Sequence, residues 1–131
     1  MTELHPQDSP QITPTPLSAP FWDACARGEL LFQRCTECAA AIFPPSEHCR
    51  DCLAGPPTWV RSAGLGTLYS WTIVHRPVTP AFSAPYAPAI VTLAEGYQMI
   101  TNLVGTTGDQ LRVDLPVQVV FHANLPYFEP A

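Results

Sequence analysis

The sequence contains no lysine, and its six arginines face eleven acidic residues for a formal net charge of −5. Nucleic-acid binding draws its affinity from cations that neutralise phosphates, so so little positive charge argues against phosphate-rich polymers as partners. Charged residues are scarce altogether, at 13%, yet no apolar run approaches the roughly 18 residues of a membrane span. The N-terminus lacks the basic-then-apolar pattern of a signal peptide. A cytoplasmic location with no membrane partner is therefore expected. Also missing are a Gly-rich phosphate loop, a nucleophile motif and a paired-carboxylate pattern. Catalysis by this chain alone is not expected.

What the sequence does have is apolar material, at 47%, and 16 prolines in 131 residues. That length holds one compact domain and a small appendage. Residues 1–19 form a Pro-rich arm among Ser, Thr and Gln, a composition that buries no core and favours extended conformations. From Pro20, the residues Phe21, Trp22, Ala24 and Cys25 read as one short helix that Gly28 ends. Cys25 falls among apolar neighbours and reads as a buried small residue. Leu30 to Arg34 reads as a strand. Residues 20–56 are thus expected to form a helix and a ribbon, with Gly55-Pro56-Pro57 marking the boundary.

Residues 57–131 follow a strand pattern with a C-terminal tail. Thr58 to Ser62 is a short strand, and Thr67 to Val78 a long one. In the long strand Tyr69, Trp71, Ile73 and His75 share one face, while Leu68, Ser70, Thr72 and Val74 are expected to line the inside. Ala89 to Ala94 and Tyr97 to Val104 form a hairpin about Glu95-Gly96, and Val117 to Phe121 supplies a last strand. Five strands suit a small barrel of the oligonucleotide/oligosaccharide-binding (OB) type, so the fold class is mainly β. Between strands, Pro77 to Pro88 is too long for a tight turn and reads as a functional loop.

The strongest chemical signal is Cys35-Thr-Glu-Cys38 followed by Cys49-Arg-Asp-Cys52. Each Cys-x-x-Cys turn sets two thiolates on one side, and two such knuckles about ten residues apart close a tetrahedron around one zinc ion. Four thiolates leave no open ligand position, so the expected zinc is structural, one per chain. His48 lies beside the second knuckle but is redundant as a ligand. An iron site of rubredoxin type uses the same ligands with wider spacing between knuckles. An electron carrier is thus a lesser reading, and a nucleic-acid-binding ribbon and barrel module is the alternative that the charge opposes.

The order of motifs resembles a known family. These are Phe21-Trp22, Gly28-Glu-Leu30, Gln33-Arg34-Cys35-x-x-Cys38, Phe43-Pro44-Pro45, Cys49-x-x-Cys52, Trp59 and Gly64-x-Gly66. The series continues with Ser70-Trp-Thr72-Ile-Val-His75-Arg76-Pro77, Phe82, Pro85-Tyr86, Glu95-Gly96, Asn102-Leu103-Val104-Gly105, Pro116-Val117, Phe121 and Leu125-Pro126-Tyr-Phe128-x-Pro130. It is similar to the acyl-CoA-associated OB-fold family with an N-terminal rubredoxin-like zinc ribbon, domain of unknown function 35. The resemblance implies a noncatalytic accessory subunit of a thiolase-like or lipid-transfer-protein-like enzyme, docked as a heterotetramer of two plus two. It further implies that His75, Arg76, Phe82 and Tyr86 border a channel for the acyl-CoA thioester. Settings for such complexes in lipid metabolism include thiolases, acyltransferases and retro-aldol cleavage of steroid side chains. Ala39 and Leu53 occupy positions after the second cysteine of each knuckle where the family often has glycine or another small residue.

Overall fold

The computed structural model describes residues 3, 4, 6, 12–80 and 82–131. Most of the expected arm before residue 12 therefore lies outside the described residues, as does position 81. One short helix, α1 (Ala19–Ala26), precedes eight strands: β1 (Leu31–Arg34), β2 (Ala41–Ile42), β3 (Thr58–Arg61), β4 (Leu65–Trp71), β5 (Ala87–Leu93), β6 (Gln98–Leu103), β7 (Pro116–His122) and β8 (Leu125–Pro130). Proline in the first turn of α1 wastes no hydrogen bond there, and Gly28 takes φ 76° just beyond its end.

The strands divide into two sheets. An antiparallel sheet in the order β2-β1-β3 carries the ribbon, and β4-β5-β6-β8-β7 closes into a barrel of the OB type. The fold is mainly β, with five barrel strands as expected, but their membership differs from the sequence reading. Thr58–Arg61 does not open the barrel; it pairs with β1 through Phe32↔Val60 and Gln33↔Trp59. The missing fifth strand is β8, in what reads from sequence as a tail. It runs antiparallel to β7 from Val117↔Pro130 to His122↔Leu125 and meets β6 in parallel at Leu103↔Phe128.

The long second run also changes. The pairing of β4 with β5 shifts register between Leu68 and Ser70, leaving Tyr69 as an extra residue in a bulge. One inserted residue inverts the facing of everything after it. Leu68 is fully buried, but Ser70 and Thr72 turn out to solvent, and Trp71 and Ile73 pack against the core instead. The expected inward face Leu68, Ser70, Thr72, Val74 is therefore correct only at its start. Ahead of the bulge, Gly66 sits where a Cβ would come within 2.3 Å of the Thr92 carbonyl oxygen. Glycine there lets β4 press against β5 tightly enough to curve the sheet.

The main core fills the barrel and extends under the ribbon, joining Phe21, Cys25, Leu30 and Phe32 to Leu68, Val91, Leu103 and Phe128. Leu4 belongs to it as well, 1% exposed, with its N–H donating to the Thr106 carbonyl and its own carbonyl accepting from Gly105. That overturns the expectation that the arm contributes nothing to the core. A polar, Pro-rich composition disfavours burial on average, but one leucine with paired backbone groups on either side meets no such penalty.

Aromatic rings hold the two sheets together. Phe32 of β1 stacks on Tyr97 at 4.8 Å between centroids, Tyr97 meets Phe43 of the ribbon at 5.4 Å, and Phe43 meets Phe21 of α1 at 5.5 Å. Burial of the Tyr97 ring pushes its phenol up to about 12, so it packs as a neutral ring at any ordinary pH.

Candidate metal centre and apolar groove

The ribbon beyond β1 has a second, much smaller core of Cys35, Ile42 and Cys49, with Ala40 and Ala54 against it. That is too little apolar surface to hold a loop structure in place. What gathers these segments is the geometry of the two knuckles. In the first, Cys35 N–H donates to Ala40 O and Ala39 N–H to Cys35 O. In the second, Cys49 N–H donates to Ala54 O and Leu53 N–H to Cys49 O. The two turns are copies of each other, and both need a left-handed residue after the second cysteine: Ala39 has φ 63° and Leu53 φ 65°.

A side chain in that conformation costs roughly 1–2 kcal/mol, and glycine returns part of the gain through its looser unfolded state. Leu53 is 77% exposed and packs little. Leu53→Gly is expected to stabilise the metal-loaded protein by about 1 kcal/mol, read from the denaturant midpoint at constant slope; a lower midpoint would show that the leucine side chain matters.

The turns bring the Sγ atoms of Cys35, Cys38, Cys49 and Cys52 within 4.8 Å of one another. Across the knuckles, Cys35 and Cys52 lie 3.5 Å apart and Cys38 and Cys49 3.6 Å apart. Metal–sulfur bonds of about 2.3 Å in a tetrahedron require sulfur separations near 3.8 Å, so the cage fits one such ion. Backbone N–H groups reach two of the four sulfurs: Cys38 and Glu37 donate to Cys35 Sγ, and Asp51 donates to Cys49 Sγ, whereas neighbouring thiols and burial push Cys38 and Cys52 up. The N–H groups of Cys38 and Glu37 draw the Cys35 thiol down to about 6. Cys25 is the opposite case: buried in the main core, it is pushed up to about 11 and stays a thiol. His48 stands outside the four-sulfur cluster, with its ring laid over Gly55, where a Cβ would come within 2.3 Å of Nδ1.

The ribbon loop between the knuckles is fixed by polar contacts to backbone. Buried Gln33 accepts from the Ser46 N–H at 2.7 Å, and Arg50 donates to the Phe43 and Pro44 carbonyls. Both side chains thereby set Phe43 in place against Tyr97.

The four residues expected at a channel divide into two pairs. Phe82 and Tyr86 stack at 5.4 Å and line a groove of about 320 Å³ on the outside of the barrel. His75 and Arg76 are exposed and take no part in that lining. They follow Val74, whose backbone pairs with Tyr86 in both directions, so the pairs are tied through one bridge. Sequence reasoning passed over Trp22, Ile100, Asn102 and Tyr127, which also line the groove. Asn102 carried a signal, being a polar residue on the outer face of β6, and it stands in a quoted motif. No local pattern unites the four residues, because they come from the helix and from two strands.

Comparison with known proteins places these features together. Residues 22–58 match the ChsH2 rubredoxin-like zinc ribbon domain, and residues 59–122 the ChsH2 C-terminal OB-fold domain. A solved structure titled Ltp2-ChsH2(DUF35) aldolase superposes with a TM-score of 0.82 at 33% identity, covering 92% of this chain and 98% of that one. A probable enoyl-CoA hydratase alpha subunit of Thermomonospora curvata is 37% identical over 85% of this chain. The 3-oxo-4,17-pregnadiene-20-carboxyl-CoA hydratase alpha subunit of Mycobacterium tuberculosis is 30% identical over 77% of it. The match takes in only 37% and 32% of those two relatives' own lengths.

Proposed function

Since the chain belongs to the ChsH2 (DUF35) family, in which a rubredoxin-like zinc ribbon precedes an OB-fold domain, we propose that it is the noncatalytic subunit of an acyl-CoA enzyme. In this reading it docks on a thiolase-like or lipid-transfer-protein-like catalytic subunit, two copies of each, and borders the path of the CoA thioester. The likeness to the aldolase structure over 98% of that chain is the observation that carries it. The names of the relatives point to CoA thioesters as the substrate class, and a retro-aldol cleavage of a steroid side chain is the setting we favour.

The ion we assign is zinc, held by Cys35, Cys38, Cys49 and Cys52. Zinc in a closed tetrathiolate site supplies structure and no reactive position. The chain's own contribution to the reaction is then spatial. Phe82 and Tyr86 offer an uncharged wall, and the exposed pair beside them offers the Arg76 guanidinium as positive charge and His75 as a hydrogen-bonding ring to the nucleotide phosphates at the channel mouth.

Coexpression with the thiolase-like gene product encoded nearest to this chain's own gene tests the reading. The expected result is a stable complex of two plus two on size exclusion and acyl-CoA turnover that neither subunit shows separately. An active partner that ignores this chain in both assays would sink the proposal.

A further inference from the structure

Across the β5–β6 ladder, Asn102 faces Pro88. Proline has no N–H to give, and neither does Pro126, which also lines the groove. The Thr101 hydroxyl beside them is engaged with the Pro126 carbonyl at 3.2 Å. Asn102 Oδ1 is buried and finds no hydrogen-bond partner among the described residues. An unmatched buried acceptor is costly to the folded state. Its place in the groove walled by Trp22, Phe82, Tyr86 and Ile100 suggests what the cost is for.

Among the described residues the lining includes no charged side chain, so a carboxylate or phosphate entering here finds no compensating charge from them. A secondary amide fits better. It donates to the carboxamide oxygen and accepts from the carboxamide NH2, so both groups are matched whichever way the side chain is turned. The torsion that turns it is broad and soft, which lets Asn102 swing its oxygen from the covered position towards the groove. Aromatic walls accept the methylene and methyl groups on either side of such an amide.

We propose that Asn102 reads a secondary amide in the pantetheine arm of an acyl-CoA lying in this groove, with Trp22 and Tyr86 packed along the arm. The inference rests on the acyl-CoA reading above and adds the residue and hydrogen-bond pattern that position the arm. Asn102 is a specificity-determining residue under this proposal and touches no reacting atom. A peptide backbone carries the same amide group, so the experiment must separate the two sources.

Full-length, metal-loaded chain is titrated with S-methyl pantetheine, which has no free thiol to compete for the metal, and with its analogue in which both amides are esters. In 1H–15N spectra the Asn102 carboxamide and Trp22 indole signals are expected to move with the amide compound, and the ester to bind ~5-fold more weakly. Asn102→Ala should abolish that discrimination while raising the melting temperature of the free protein, because an unmatched polar group has been removed. A purely structural asparagine would lower it. Equal binding of amide and ester, unchanged discrimination in Asn102→Ala, a lowered melting temperature, or a groove that ignores pantetheine and is covered only by the catalytic subunit would each overturn the inference. None of these outcomes touches docking: a chain that captures its partner without reading the amide keeps the subunit role, and one that reads the amide without capturing a partner loses only that role.

Discussion

Cys35→Ser protein is expected to emerge without bound metal, with the ribbon loops unfolded and the barrel still folded. Structural zinc binding contributes on the order of 10 kcal/mol, and the cluster of Cys35, Ile42 and Cys49 is too small to replace it. The main core is a cluster apart from that one and is reached by Leu30 and by Phe32 of β1, so the damage should stop near the knuckles. Metal analysis should show less than one zinc per chain, and amide resonances of residues 35–54 should collapse while those of β4 to β8 remain dispersed. Partner capture is expected to fail, since Phe43 and the loop behind it lose their supports. Cys49→Ser should behave alike, because its Sγ belongs to the same four-sulfur cluster. A variant that keeps its metal, or remains folded without it and still activates the partner, would falsify the idea that the site is a structural staple.

Phe32→Ala is expected to be the most destabilising single change outside the metal site, by about 3–5 kcal/mol. Its ring is completely buried and stacks on Tyr97, and through Tyr97 it reaches Phe43 and then Phe21. Truncation opens a cavity where ribbon, helix and barrel meet, and it deletes the central ring contact between the two sheets. Unfolding in denaturant should lose its single transition, with the ribbon melting ahead of the barrel. A variant with an unchanged midpoint would show that the metal and the β1–β3 pairing suffice to seat the ribbon. The contrast with Cys35→Ser separates two jobs: the cysteines hold the knuckles, and the aromatic stack holds the ribbon to the barrel.

Much of this organisation was readable residue by residue because its causes are local. A Cys-x-x-Cys turn places both thiolates by itself, and the N–H groups that bond Cys35 Sγ come from Glu37 and Cys38, within three residues of it. Pro20 and Gly28 bracket the helix for equally local reasons. Glu95-Gly96 turns the β5–β6 hairpin, with Gly96 at φ 96°. Even the strain at Ala39 and Leu53 followed from which residues the knuckle turn tolerates.

The features that escaped the sequence depend on partners distant along the chain. Whether Thr58–Arg61 joins the barrel or the ribbon is decided by β1, and no property of those four residues favours one partner over the other. Leu125–Pro130 reads poorly as a strand because proline cannot donate to a ladder, yet β8 touches β6 at a single pair and so tolerates Pro126 and Pro130 at its flanks. The bulge at Tyr69 arises from fitting β4 around a closing barrel, and that one residue reassigned the faces of all that follow. The groove gathers Trp22 from the helix, Phe82 and Tyr86 from the loop that leads into β5, Asn102 from β6 and Tyr127 from β8. The sequence by itself determined the four-cysteine cluster and the fold class, since four thiols at short spacing and alternating strands act over a few residues. Only the tertiary structure decided which strands close the barrel and which side chains face the groove, because strand pairing brings together residues that no local interaction links.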